Sequence, residues 1–410
     1  MKILIISDLF PPCYVGGYET VCHEVAEGLM LIGHEVRVVT SNYQRSSGGE
    51  GPTLSRTLAY RNGNRHRGFW RGLAIEVRDN YELRRILRDH RPDVVQVWNM
   101  SGLGKSLLET LRRSRIPMAF AIHDRWLEHV LPVDPWLARW RGDSKRSLRW
   151  LSTLHARDLI GRLAPVAWEV PQFRMAAFVS RYNLFLFRSA GFTAEVAEVI
   201  PNGVSMPATY STARVDGRRK LLYAGQLHPQ KGVHHAVRAL STLVRQGRSD
   251  FHLTIVGTNA GSSSYPRSLA TLVADLGISA QVTFTGHLPR ARVFEMMRAN
   301  DMLLFTSDDE LGCPLVISEA FALGLPVVGT TVGGAAEIME NEKTCLTFER
   351  GDDGALAACI RRLADDEDLA CAISRRARRF AEEKLSLAAM VRSYESQLIR
   401  AAQGSGAAQW

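Results

Sequence analysis

Short apolar runs alternate with amphipathic stretches along almost the whole chain, and this alternation restricts the folds open to it. "KILIIS" gives way near Glu19 to a helical pattern with Val21, Val25 and Leu29 on one face, and "HEVRVVT", "DVVQVW" and "MAFAIHD" follow. Strands that read as nearly continuous apolar runs are buried on both faces, and the helices between them supply the cover. The pattern therefore predicts parallel sheets with helices on both sides. Over Met206–Lys220 it lapses into the polar "MPATYSTARVDGRRK", then restarts with "LLYAG", "FHLTIVG", "QVTFTG", "MLLFTS" and "PVVGT". A chain of 410 residues is long enough for two cores. The expected fold is α/β with two doubly wound Rossmann-like domains, one over 1–207 and a second over 220–380. A helical pattern from about Leu363 to Ala402, broken near Lys384–Ser386, is long for one domain. Residues 381–410 are expected to form a helix crossing back to the first domain, then a loose tail.

The six cysteines form no C-x-x-C pair, so neither a zinc site nor a disulfide framework is indicated. "MKILIISDLFPP" lacks the longer apolar core and cleavage site of a signal peptide, and no apolar run reaches the ~18 residues needed to span a bilayer. A cytoplasmic protein is expected, with room for peripheral contact at the inner membrane surface. Nearly all of the formal charge of +9 falls before residue 209, so the two halves are expected to take different ligands.

Three stretches carry candidate chemistry. Gly16 and Gly17 in "FPPCYVGGYE" follow a strand and precede a helix, where glycine allows close backbone approach to a ligand; a plain turn reads equally well. No G-x-G-x-x-G accompanies them, which argues against a dinucleotide fingerprint. In "YAGQLHPQKG", Lys231 lies between a strand end and a helix, at the edge where open α/β sheets bind ligands, and suits a phosphate. In "FTSDDELGCPLVISEAFALGLPVVGTTVGG", Pro314 is expected in the first helical turn, with the N–H groups beyond it free for an anion. Glu310 and Glu319 flank that turn, and carboxylates accept hydrogen bonds from sugar hydroxyls. Phosphates in the middle and hydroxylated rings at both ends describe a nucleotide-sugar.

With "GHEVRVVT", "HD" at His123–Asp124, "IPNGV" and "SEAFALGLPVVGTTVGG", these motifs resemble, in order over nearly the whole chain, family 4 retaining glycosyltransferases of the GT-B fold. The resemblance implies two Rossmann-like domains facing a central cleft. The first would bind the acceptor and the second a nucleoside-diphosphate sugar. Carried over by position, Gly16 and Gly17 border the diphosphate, and His123 lies near the transferred sugar. Lys231 neutralises the diphosphate, and the main chain of Leu315 and Val316 lies against it. Glu319 holds the ribose, Glu310 the sugar, and His287 and Leu288 contact the base. The implied reaction is a same-face displacement with retention, in which the leaving phosphate helps deprotonate the acceptor hydroxyl. The acceptor would be a glycan, glycolipid or small-molecule glycoside.

Three positions depart from the family pattern. Gln226 stands where arginine is usual, Glu310 and Glu319 are separated by eight residues rather than seven, and "IPNGVS" lacks a closing aspartate. The first two keep open a non-catalytic nucleotide-sugar-binding scaffold, and a nucleotide-sugar epimerase or hydrolase of the same fold is the other alternative. No cofactor is expected, and activity is expected to be metal-independent, because the only D-x-D, Asp366–Asp368, reads as a solvated helix start.

On the acceptor side, residues 125–175 hold five of the eight tryptophans, among them Trp126, Trp136 and Trp140, interleaved with basic residues. The segment reads first as an acceptor groove or lid, then as core, then as a membrane-surface segment. Residues 61–91 hold nine arginines against four acids, and "RNGNRHRGFWRG" reads as a flexible loop that would attract an anionic acceptor. No nucleic-acid recognition motif accompanies this charge.

Overall fold

The computed structural model describes residues 1–13, 16–43, 51–61, 69–130, 173–208, 219–258 and 264–404. The chain divides into two compact units. The first comprises Met1–Val179, Asn183–Ile200 and Val391–Trp410; the second comprises Ser180–Tyr182 and Pro201–Met390.

The first unit runs β1 (Lys2–Ile6), α1 (Tyr18–Leu31), β2 (Glu35–Ser41), β3 (Leu54–Leu58), α2 (Phe69–His90), β4 (Val94–Val97), α3 (Ser106–Ser114), β5 (Met118–Ile122), α4 (Trp126–Val130), β6 (Phe173–Phe178), α5 (Arg181–Ser189) and β7 (Ala194–Val199). Its seven strands lie in the order β3-β2-β1-β4-β5-β6-β7, all parallel. Ile3, Leu4, Ile5 and Ile6 are all fully buried, so β1 is covered on both faces, as its unbroken apolar run requires. Each such side chain contributes about 1.5–3 kcal/mol on burial. Leu4, Ile6, Val95, Val97, Phe120 and Phe178 belong to one cluster.

The second unit runs β8 (Lys220–Ala224), α6 (Val233–Arg245), β9 (His252–Val256), α7 (Tyr265–Asp275), β10 (Val282–Gly286), α8 (Arg290–Ala299), β11 (Met302–Phe305), α9 (Leu315–Ala322), β12 (Val327–Gly329), β13 (Leu346–Thr347), α10 (Asp353–Asp365) and α11 (Glu367–Lys384). The strand order is β10-β9-β8-β11-β12-β13, again all parallel. Both sheets reverse their winding direction once, between β1 and β4 in the first and between β8 and β11 in the second. Ligands of open α/β sheets bind at the carboxyl ends of the strands at such a point.

The last helix, α12 (Leu387–Gln403), follows the expected break, and from Val391 on it belongs to the first unit. Tyr394 and Leu398 are fully buried there, and His34 Nε2 lies 3.0 Å from Glu395 Oε1. The unit boundaries differ from the sequence expectation at two places. Pro201–Pro207 belongs to the second unit, because Val204 exchanges backbone hydrogen bonds with Leu385 and Leu387, and the Asn202 side chain donates to the Cys313 carbonyl. The return begins at Val391 rather than 381, since α11 packs on α9 inside the second unit.

Asp366 accepts a hydrogen bond from Leu369 N at 2.9 Å and so caps α11, the helix-start role read from its acidic run. Much of the basic stretch 61–91 proves to be helix, and its charge is partly answered locally: Arg61 pairs with Glu76, Arg78 with Asp79 and Arg85 with Glu82. No described helix is long and apolar enough to cross a membrane.

Candidate active site

In the second unit, the carboxyl ends of β8 and β11 carry Lys231 and Glu310. A 3-10 turn over Pro229–Lys231 follows β8, with Gln230 N donating to the His228 imidazole. Gly232 closes it at φ +63°, and a Cβ there would meet the Thr306 carbonyl oxygen at 1.9 Å. Only glycine fits this approach. The turn is laced to the loop after β11: Asp308 N donates to Gln230 O at 2.8 Å, and Thr306 Oγ1 donates to Lys231 O at 3.1 Å. Lys231 Nζ then reaches Glu310 Oε2 at 2.6 Å, and Gly334 N holds the Glu310 carbonyl at 2.9 Å. The Lys231–Glu310 pair is mostly buried, with side-chain exposures of 31% and 17%.

Helix α9 opens beside these residues in sequence. Pro314 is its N-cap, in extended conformation at φ −66° and ψ 121°, rather than a member of its first turn. The difference is one residue, and the missing proline N–H costs nothing at either position. No side chain caps the helix, and the first intrahelical bonds run from Ile317 and Ser318 back to Pro314 O. The N–H groups of Leu315 and Val316 therefore head a helix whose dipole favours an anion. Cys313 is buried, which pushes its thiol up to about 12 and leaves it inert as a nucleophile. Glu319, one turn into α9, is 6% exposed and pairs with Arg290. Gln226 and His287 are exposed and Leu288 is half-buried.

In the first unit, the carboxyl ends of β1, β4 and β5 carry a group of polar residues that sequence reasoning largely missed. The Asp8 carboxylate accepts from Leu9 N, Gly102 N and Ser101 Oγ, each at 2.9 Å, and from the Tyr18 hydroxyl. Asp124 accepts from Asn99 Nδ2 at 2.6 Å and from Trp126 N at 2.9 Å. Burial pushes the Asp124 carboxyl up to about 7, with repulsion from Asp8 and Glu19 adding to it. The sequence signals were present in "ISDLFPP", "GGYE" and "HD", each directly after or near a strand end.

His123 stacks on Trp98, with ring centroids 4.9 Å apart, and its Nε2 lies 3.2 Å from the Tyr394 hydroxyl. Burial lowers its pKa to about 3, so the imidazole is neutral at any physiological pH. It can donate or accept a hydrogen bond but brings no positive charge. Gly16 and Gly17 are exposed at the start of α1, with Gly17 as N-cap; Gly16 N donates to the fully buried Glu19 carboxylate, at 3.1 Å to Oε2.

One acceptor-side expectation is corrected. Trp126 is 3% exposed and belongs to the core cluster of the first unit, because α4 turns its apolar face inward. It is a packing residue and is not presented to a ligand. Trp136 and Trp140 lie outside the described residues.

Two family descriptions divide the chain between them: "Glycosyltransferase Family 4" matches residues 15–206 and "Glycosyl transferases group 1" matches residues 210–380. The chain belongs to this glycosyltransferase family. Glycogen synthase of Mycobacterium tuberculosis is 25% identical over 92% of this chain and 89% of its own length. D-inositol 3-phosphate glycosyltransferase of Acidothermus cellulolyticus is 34% identical, over 41% of this chain and 40% of that protein. The match thus spans well under half the length of that relative. Among solved structures, Anabaena HepE in complex with UDP superposes with a TM-score of 0.68 at 19% identity, covering 98% of this chain and all of the other. The glycosyltransferase thus has the GT-B fold, and its two Rossmann-like units are the two sheets described above.

Proposed function

We propose that this glycosyltransferase moves a sugar from a nucleoside-diphosphate sugar to an acceptor hydroxyl with retention of configuration. The observation that carries the reading is the meeting of Lys231 and Glu310 at the winding reversal of the second sheet, in the unit whose helix α9 opens with uncapped N–H groups. In this reading Lys231 and the N–H groups of Leu315 and Val316 take the diphosphate, Glu319 the ribose, Glu310 the sugar, and His287 and Leu288 the base. Family membership supports this assignment, as do the complexes of Anabaena HepE with UDP and with UDP-glucose.

The reaction breaks the bond between the anomeric carbon and the β-phosphate oxygen and forms a bond to the acceptor oxygen on the same face. The acceptor proton passes to the departing phosphate. Positive charge and fixed N–H groups matter most there, because they stabilise charge that develops only as the bond breaks. Lys231 carries much of this alone, since Gln226 supplies hydrogen bonds but no charge. The neutral His123 imidazole, held against Trp98, serves the transferred sugar as a hydrogen-bonding partner. We assign the acceptor to the first unit, whose strand ends carry Asp8, Asn99 and Asp124. No metal enters this scheme, and turnover is expected to survive EDTA; loss restored by magnesium would overturn that point.

A thermal-shift screen of nucleotides and nucleotide-sugars tests the donor, because a ligand that binds the native state raises its melting temperature. Lys231→Ala and Glu319→Ala are each expected to lower turnover by about tenfold or more, the worth of a hydrogen bond to a charged group. Donor binding without turnover across an acceptor panel would make the protein a scaffold, and an inverted product would refute retention.

A further inference from the structure

Arg290 has no place in the sequence-based donor site, yet the structure joins it to Glu319. It is the first residue of α8, shortly after the His287–Leu288 loop, and Glu319 lies in α9. Arg290 Nε and Nη2 both reach Glu319 Oε1, at 2.9 and 2.8 Å. The guanidinium also lies 5.6 Å from the centroid of the Phe294 ring, one turn further along α8. A cation at the first position of a helix faces the positive end of the helix dipole and is unfavourable unless an anion answers it. A carboxylate as buried as Glu319 has in turn lost most of its water and is costly without a cation beside it. Each residue offsets the cost of the other, and the two N–H groups together hold Glu319 Oε1 in place.

We propose that Arg290 is a positioning residue for nucleoside recognition: it holds the Glu319 carboxylate in place to accept hydrogen bonds from the ribose hydroxyls of a nucleoside diphosphate. This rests on the reading of Glu319 as the ribose-binding side chain. The consequence is selectivity. A site built around an oriented carboxylate disfavours a sugar that lacks the hydroxyl, because the hydrogen bond that hydroxyl would donate is lost. Lysine could supply the charge but not two N–H groups from one rigid plane.

The test is calorimetric titration of full-length protein with UDP, GDP and ADP, each beside its 2′-deoxy counterpart, for wild type, Arg290→Ala, Arg290→Lys, Glu319→Gln and the double variant R290A/E319Q. Wild type is expected to prefer the ribo form about tenfold or more, as for a hydrogen bond to a charged group. R290A should bring the preference to within about threefold while leaving affinity for the deoxy form nearly unchanged. R290K should fall between, and adding R290A to E319Q should change the preference no further. A purely structural arginine would weaken both forms alike and keep their ratio, and that result overturns the proposal. Should R290A fold poorly, the ratio in R290K decides, and an unchanged ratio there refutes it equally. Wild-type protein that binds no nucleotide, or binds ribo and deoxy forms alike, refutes the reading of Glu319 and the proposal with it.

Discussion

Replacing Gly232 with alanine separates two costs that usually arrive together. Gly232 has φ +63°, and its Cβ would meet the Thr306 carbonyl oxygen at 1.9 Å. Gly247 has φ +84°, with nothing within 4 Å of an added Cβ. Both substitutions carry the left-handed penalty of about 1–2 kcal/mol. Only Gly232→Ala adds a steric term, and a backbone carbonyl cannot rotate away as a flexible side chain can. Overpacking of this kind costs a further ~1–3 kcal/mol. G232A should therefore lose about 2–5 kcal/mol of stability and G247A about 1–2 kcal/mol. The functional effect follows from position. Lys231 precedes Gly232, and its carbonyl is held by Thr306. Relief of the clash must move this turn, and a misplacement near 1 Å can cost about 10²-fold in rate. Urea unfolding gives the stabilities and steady-state kinetics the rates. Equal stability losses in the two variants, or a G232A enzyme with wild-type kcat/KM, would refute the reasoning.

The remaining predictions concern titration. Asp124 is raised to about 7 in the folded protein, so between about pH 4 and pH 7 the native state binds more protons than the unfolded chain. Stability from this group is therefore lost as pH rises through that window, by about 4 kcal/mol at most. Asp124→Asn should flatten that part of the stability profile; a profile unchanged in slope would count against the burial argument. His123, lowered to about 3, should show imidazole NMR shifts that stay constant from pH 8 to pH 5. A midpoint near 6.5 would show that it is solvated.

Periodicity placed nine of the thirteen described strands, because burial on both faces writes an unbroken apolar run into each central strand, and it missed β3, β6, β7 and β13. It also located the helix break at Leu385–Ser386 and the strand ends that carry His123, Lys231 and Glu310. What it could not supply were pairings across long sequence separations. Arg290 meets Glu319 only because α8 and α9 lie close in the folded unit. The one local hint was an arginine at a helix start, against the dipole. Asp8 and Asp124 stood in plain view after their strands, but a carboxylate there reads as an ordinary loop acid until its donors are known. Trp126 shows the opposite error: its aromatic and basic neighbours suggested a ligand surface, but its own place on α4 decides that it is core.

The return of α12 to the first unit has a consequence for how the protein is made. Tyr394 completes the wall around Trp98 and meets His123, yet it is synthesised more than 270 residues after that histidine. Domains generally fold as they leave the ribosome, N-terminal first. Here the first sheet must wait, with the Trp98 face uncovered, until the whole second unit has been made. The His123 environment is therefore complete only once the last helix is in place. A chain cut short before Val391 would expose apolar surface at the strand ends that carry His123 and Asp124.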